Sequence, residues 1–180
     1  MAKELQNVND VLKAFRDYVI KQSRTNLTKG GKNVSKELYN SIDGEVITEN
    51  DYSIVGFSMA EYGQFQDQGV RGALSSMKAP NSPFRFGSGK GKKGGLTKSI
   101  LKWVQAKRFQ FRNKENGKFM SYQQTGYLIS RSIFQKGIKP SLFFTKPFEA
   151  GYKKYIDTDL MKAFSQDIDT MIDYNLTNIK

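Results

Sequence analysis

The chain has 180 residues, is 38% hydrophobic and 13% aromatic, and carries 29 Lys and Arg against 17 Asp and Glu, a formal charge of +12. It contains no cysteine and no histidine, which removes disulfides, thiolate metal sites and the commonest general base from consideration. A core of ordinary size is within reach of this length, and no apolar run approaches the roughly 20 residues of a membrane span.

The first twenty residues are charged and helically spaced, with no apolar stretch of the kind that marks a secretory signal, so a protein made in a cytoplasm is expected. Val8, Val11, Leu12, Phe15 and Val19 recur at helical intervals and predict an amphipathic helix over 7–24, capped by Asn7 and ended by the "TNLTKGGKN" segment at 25–33. "GEVITENDYSIVGFS" (44–58) holds two β-favouring runs around Glu49-Asn50-Asp51 and predicts an antiparallel hairpin. "AEYGQFQDQGVRG" (60–72) reads as a short helix or a strand leading into a loop, with Gly63 and Gly69 at backbone turns.

From 72 to 95 the chain is rich in glycine with Pro80 and Pro83, which predicts a long irregular segment that orders against a neighbour. Leu96, Ile100, Trp103 and Val104 then mark one face of a helix over 96–108, with Lys98 and Lys102 opposite. "RFQFRNKENGKF" (108–119) alternates and predicts a strand or a hairpin around Asn116-Gly117. Ser121 and Gln124 form a capping-box pattern that opens a helix to about Lys136, stopped by Gly137. "KPSLFFTKPF" (139–148) is expected to be extended because of its prolines. A last helix follows, with Leu160, Phe164, Ile168, Met171 and Ile172 as an apolar stripe among Asp167, Asp169 and Asp173. This order predicts an α+β fold: a small antiparallel sheet packed by N- and C-terminal helices, in a single domain 1–180 that carries a long basic, partly helical insertion or arm at 72–118.

The positive charge is local. Residues 71–118 hold thirteen Lys and Arg and one acid, Glu115, while the rest of the chain is balanced at sixteen of each. Such a module fits a phosphate backbone or an acidic protein surface. Within it, "GKGKKG" (89–94) has the glycine spacing of a dinucleotide loop, yet it follows "NSPFRFGS" rather than a buried apolar strand of a βαβ unit and falls in Lys-rich low-complexity sequence, and a Walker A pattern is absent. Asp169 and Asp173, four apart on one helix face, are a conceivable Mg²⁺ pair, with a solvated helix face as the plainer alternative. No catalytic, cofactor or metal residue is assigned, and an enzyme is not expected. Candidate contacts to a partner or to DNA are Arg85, Lys90, Lys92, Lys93, Lys98, Lys102, Lys107, Arg108 and Arg112. Lys114 and Lys118 lie nearby, and Phe109 and Phe111 are interleaved as either stacking or core residues.

Three stretches carry a resemblance. "NLTKGGKNVSKELYNSI" (26–42), with Leu38, Ser41 and Ile42, is similar to the segment after the first helix in tailed-bacteriophage neck and tail-completion proteins, although this chain lacks the proline and Thr-Gly pair often found before it. "YGQFQDQGVRG" (62–72), with Tyr62, Phe65, Asp67 and Gly69, resembles that family's aromatic, acidic and glycine segment. "GIKPSLFFTKPFEAGYKK" (137–154) is similar to its closing run before the last helix. The resemblance implies a structural virion protein at the head–tail junction. It would form a homo-oligomeric ring between portal or connector and tail proteins, with DNA passing through the lumen. A soluble, non-specific DNA-binding accessory protein is the alternative expectation.

Overall fold

A computed structural model describes residues 5–31, 35–49, 52–88 and 95–177. The fold is mixed helix and sheet, with two small two-stranded antiparallel sheets where one was expected, and with N- and C-terminal helices. The sequence reading is of one domain. The described residues divide into two compact units, Met1–Ala60 with Phe143–Lys180, and Glu61–Leu142. The basic stretch 72–118 lies wholly within the second unit, which starts earlier and ends later than the expected arm.

In the first unit, helix α1 (Gln6–Lys29) buries Val8, Leu12, Phe15, Val19 and Leu27 along one stripe. Asn7 is not its cap. Leu5 occupies the cap position with no side-chain bond, and the exposed N–H groups of the first turn are taken from outside the helix. The Asp167 carboxylate accepts from the Asn7 N–H (3.1 Å), the Val8 N–H (3.0 Å) and the Asn7 side-chain amide (2.7 Å). An anion at a helix N-terminus also meets the positive end of the helix dipole.

A short helix α2 (Glu37–Ser41) leads into the expected hairpin, strands β1 (Asp43–Thr48) and β2 (Ser53–Ser58). The register pairs Val46 with Val55 and Ile47 with Ile54. Val46 and Val55 face Val8, Leu12 and Ala163, while Ile47 and Ile54, on the opposite side of the pleat, are exposed. Leu27, Leu38, Ile42 and Phe143 form a second apolar cluster. Between the clusters, Phe15 meets Phe57 and Phe148 edge to face at 5.8 and 5.5 Å. Arg24 donates to the carbonyls of Tyr39 (3.2 Å) and Ile42 (2.8 Å), closing the end of α2.

The unit ends in a continuous helical run. It comprises α6 (Thr145–Gly151), a π-helical segment (Tyr152–Asp159) and α7 (Leu160–Thr177); α3, α4 and α5 belong to the second unit and are given below. The expected extended segment 139–148 is therefore helical in its second half. Pro147 sits in the first turn, where its missing N–H has no helical acceptor to lose. Gly151 lets the run press on α1, since a Cβ there would lie 2.9 Å from the Tyr18 ring and 3.1 Å from Phe15. The last helix is also packed differently from expectation. It turns Ala163 and Asp167 towards α1, and the stripe Phe164, Ile168 and Ile172 stays exposed at 45%, 37% and 51%.

In the second unit, α3 (Tyr62–Gln68) and strand β3 (Val70–Arg71) lead in, and α5 (Tyr122–Lys136) and strand β4 (Gly137–Ile138) lead out. Gly63 lies inside α3 and marks no turn. Val70 pairs with Ile138 and Arg71 with Gly137. Ser141 reinforces the junction, its N–H and hydroxyl donating to the carbonyls of Asp67 (3.0 Å) and Gln66 (2.6 Å). The backbones approach so closely that Gly69 and Gly137, both at positive φ, admit no side chain, and a Cβ on Gly69 would lie 2.5 Å from the Ile138 carbonyl.

The irregular segment after β3 is fastened by its own chain as far as it is described. Arg71 donates to the Phe84 carbonyl (2.8 Å) and accepts from Phe86 (2.9 Å), and Ala73 and Leu74 donate to the end of α5. Expected ordering by a neighbour is thus replaced, over 72–88, by internal hydrogen bonds. Helix α4 (Gly95–Ala106) packs on α5 with Val104 fully buried and Leu101 against Gly126. The capping box at Ser121 and Gln124 is formed in both directions, at 3.1 Å each.

Replacing Asp167 by alanine is expected to cost about 2 kcal/mol, because two backbone donors lose a charged acceptor in a buried site. Asp167→Asn, which keeps one acceptor oxygen, is expected to lose less, and denaturant unfolding followed by circular dichroism reads both.

Candidate docking surface

The second unit holds sixteen Lys and Arg against Glu61, Asp67 and Glu115, while the first holds thirteen against fourteen acids. The whole positive excess therefore sits on one unit. The ion pairs Lys13–Asp10 and Arg16–Asp17 both lie within α1. Among the described residues, none of Arg85, Lys98, Lys102, Lys107, Arg108 and Arg112 has a carboxylate in salt-bridge reach.

The elements place these cations as follows. Lys98 and Lys102 are one turn apart on the exposed side of α4. Lys107 follows the helix end, and Arg108 forms its stop. The Arg108 N–H donates to Gln105 (3.1 Å) and the Phe109 N–H to Val104 (3.0 Å), the Schellman pattern, with Arg108 at φ 51°. That left-handed position normally takes glycine, and a larger side chain costs about 1 kcal/mol or more there. Arginine is held in it nonetheless, with its side chain in solvent.

A small hairpin follows, closed by Met120 N–H to Phe111 (2.8 Å) and Asn113 N–H to Lys118 (2.8 Å), with Gly117 at φ 68° in the turn. This is the hairpin that Asn116-Gly117 predicts. Arg112 lies over the Phe119 ring at 4.6 Å. Phe109 and Phe111 meet edge to face at 5.2 Å and are 42% and 37% exposed, so neither is a core residue. Trp103, read from its spacing as part of one face of α4 with Leu96, Ile100 and Val104, is 40% exposed. Arg85 sits apart from α4 in the chain, on the fastened segment, where its guanidinium donates to the Ala73 carbonyl (3.1 Å). Lys90, Lys92 and Lys93, and with them the "GKGKKG" run, lie outside the described residues.

Sequence reasoning missed two features. The aromatic residues Trp103 and Phe119 stand on the surface among the cations, and the α7 stripe is uncovered. Periodicity finds an apolar face without saying what covers it. Asp169 and Asp173 are exposed on α7, and among the described residues no group of three acidic, His or Cys side chains is placed to hold a metal ion. No helix among the described residues is long and apolar enough to cross a membrane. In the first unit, the Tyr52 hydroxyl donates to Glu49 (2.7 Å), which raises its pKa above the usual phenol value.

The residues behind the family resemblance have structural duties here. Leu38 and Ile42 are in the core, the Ser41 hydroxyl accepts from the Ala60 N–H (3.0 Å), and Gly69 belongs to the β3–β4 junction. Comparison with protein-family models, with curated proteins and with solved structures finds no match.

Arg108→Gly is expected to raise the stability of the second unit by up to about 1 kcal/mol, since glycine relieves the left-handed strain. The same change is expected to weaken binding to a polyanion such as heparin. Thermal unfolding and heparin-column elution, measured on one preparation, check both halves.

Proposed function

We propose that this chain is a structural protein of a tailed-phage particle, of the neck or tail-completion type. It assembles as a homo-oligomeric ring beside portal or connector and tail proteins, and its basic unit meets neighbouring subunits or DNA. The observation that carries the docking role is the segregation of charge: sixteen cations against three acids on one compact unit, with the described candidates free of carboxylate partners. Self-repulsion of this kind opposes compact folding and is offset when an anionic surface arrives. The placement in a phage neck rests on the three sequence stretches at 26–42, 62–72 and 137–154. A non-enzymatic role agrees with a chain that has neither His nor Cys.

Non-specific DNA binding as the main role is favoured by one observation, the exposed Trp103, Phe109, Phe111 and Phe119 among the cations, a composition suited to base stacking over phosphate contacts.

Peptide mass spectrometry of purified particles from the encoding phage is expected to find this protein in several copies per particle; its absence rejects the virion reading. Under the DNA reading, the purified protein binds duplex or single strands with a log–log salt slope of roughly −5 if about six phosphates are engaged. The double change Lys98→Ala with Lys102→Ala is then expected to flatten that slope by about 2. No binding at low salt removes this reading.

A further inference from the structure

We propose that the exposed apolar face of α7 is the seat for the basic, aromatic face of the second unit of another copy of this chain. This rests on the reading of that basic face as a docking surface and names its partner.

Phe164, Ile168 and Ile172 recur every four residues and so line one side of α7, and Met161 and Leu176, 68% and 67% exposed, extend the same side. A solvent-facing helix normally turns such a stripe inward. Here the inward positions are taken by Ala163 and Asp167, because the carboxylate must reach the start of α1. The helix is thereby locked in a rotation that leaves its largest apolar side chains uncovered. A contiguous exposed patch of this kind marks an interaction site. Asp169 and Asp173 border it, both exposed.

The basic face of the second unit has matching chemistry. Trp103, Phe109 and Phe111 are about two-fifths exposed and stand beside Lys98, Lys102, Lys107, Arg108 and Arg112 in the chain. Aromatic side chains with arginine are the composition of interface hot spots. Apolar groups then meet apolar groups, and lysine and arginine heads meet the bordering aspartates.

Two other occupants of the α7 face fit less well. A second α7 would set Asp169 and Asp173 against their own kind, and like charges in an interface are penalised. Nucleic acid would meet the same carboxylates with phosphates. Since the two matching faces differ and every copy carries both, the contact is heterologous, and it propagates from copy to copy until it closes.

The test is sedimentation of the full chain over a range of concentrations at low salt, with variants on each face. Ile168→Glu disables the α7 face, and Lys98→Glu with Lys102→Glu disables the basic face. Should Ile168→Glu lower the melting temperature, Ile172→Glu, which is more exposed, takes its place. Wild type is expected to self-associate, less at high salt, and each variant to do so roughly thirtyfold more weakly, the scale of losing a buried anchor. An equimolar mixture of the two variants retains one intact α7 face and one intact basic face. It is expected to form a one-to-one pair and nothing larger. A wild type that stays monomeric at every concentration, an α7 variant that assembles like wild type, or a mixture that stays monomeric overturns the proposal. Particle composition, which tests the neck assignment, is a separate readout, so either result stands without the other.

Discussion

The second unit depends on one close backbone contact. Where the chain enters it and where the chain leaves it, β3 and β4 lie side by side, with Gly69 and Gly137 at positions that no Cβ can occupy. Gly72 is bound by the same crowding, against the backbone at the end of α5. The junction fixes the two ends of a long excursion, whose closure entropy grows only slowly with length. Once it is fixed, the irregular segment can hydrogen-bond to Arg71 on one side and to the end of α5 on the other. A glycine-rich and proline-bearing sequence that looks structureless thereby acquires a definite course.

The first unit has its own equivalent in Asp167. A helix N-terminus offers donors that its own turns cannot satisfy, and a carboxylate from α7 satisfies two of them. The same bond sets the rotation of α7. A helix that turns Asp167 towards α1 points Ile168 and Ile172 away from it, because at 3.6 residues per turn they lie roughly 100° and 140° round its cylinder. Stability of the α1 start and exposure of the α7 stripe are thus one decision. It links a local hydrogen bond to the apolar surface that α7 leaves exposed.

Charge and apolarity are also divided between the units. The second unit carries the cations and surface aromatics, and the first carries balanced charge with an acid-bordered apolar helix. Arg108 shows how far this arrangement is maintained. A glycine would suit the backbone at φ 51° better, yet the position holds a guanidinium in solvent, the kind of local cost that accompanies function elsewhere in proteins.

What the sequence determined by itself was local. Helical spacing gave α1, α4 and α7; the capping box at Ser121 and the stop at Gly137 gave α5, and two β-favouring runs about Glu49-Asn50-Asp51 gave the first hairpin. Each of these signals acts over a few residues and needs no partner. The tertiary structure alone decided the rest. Asn7 lost the cap to a residue 160 positions away. Pro147 entered a helix because its place in the first turn demands no donor. Trp103 and the α7 stripe, indistinguishable in pattern from core residues, remained uncovered. Periodicity records which side of an element is apolar. Which side is buried depends on long-range pairing and close approach, and these are set where distant segments meet.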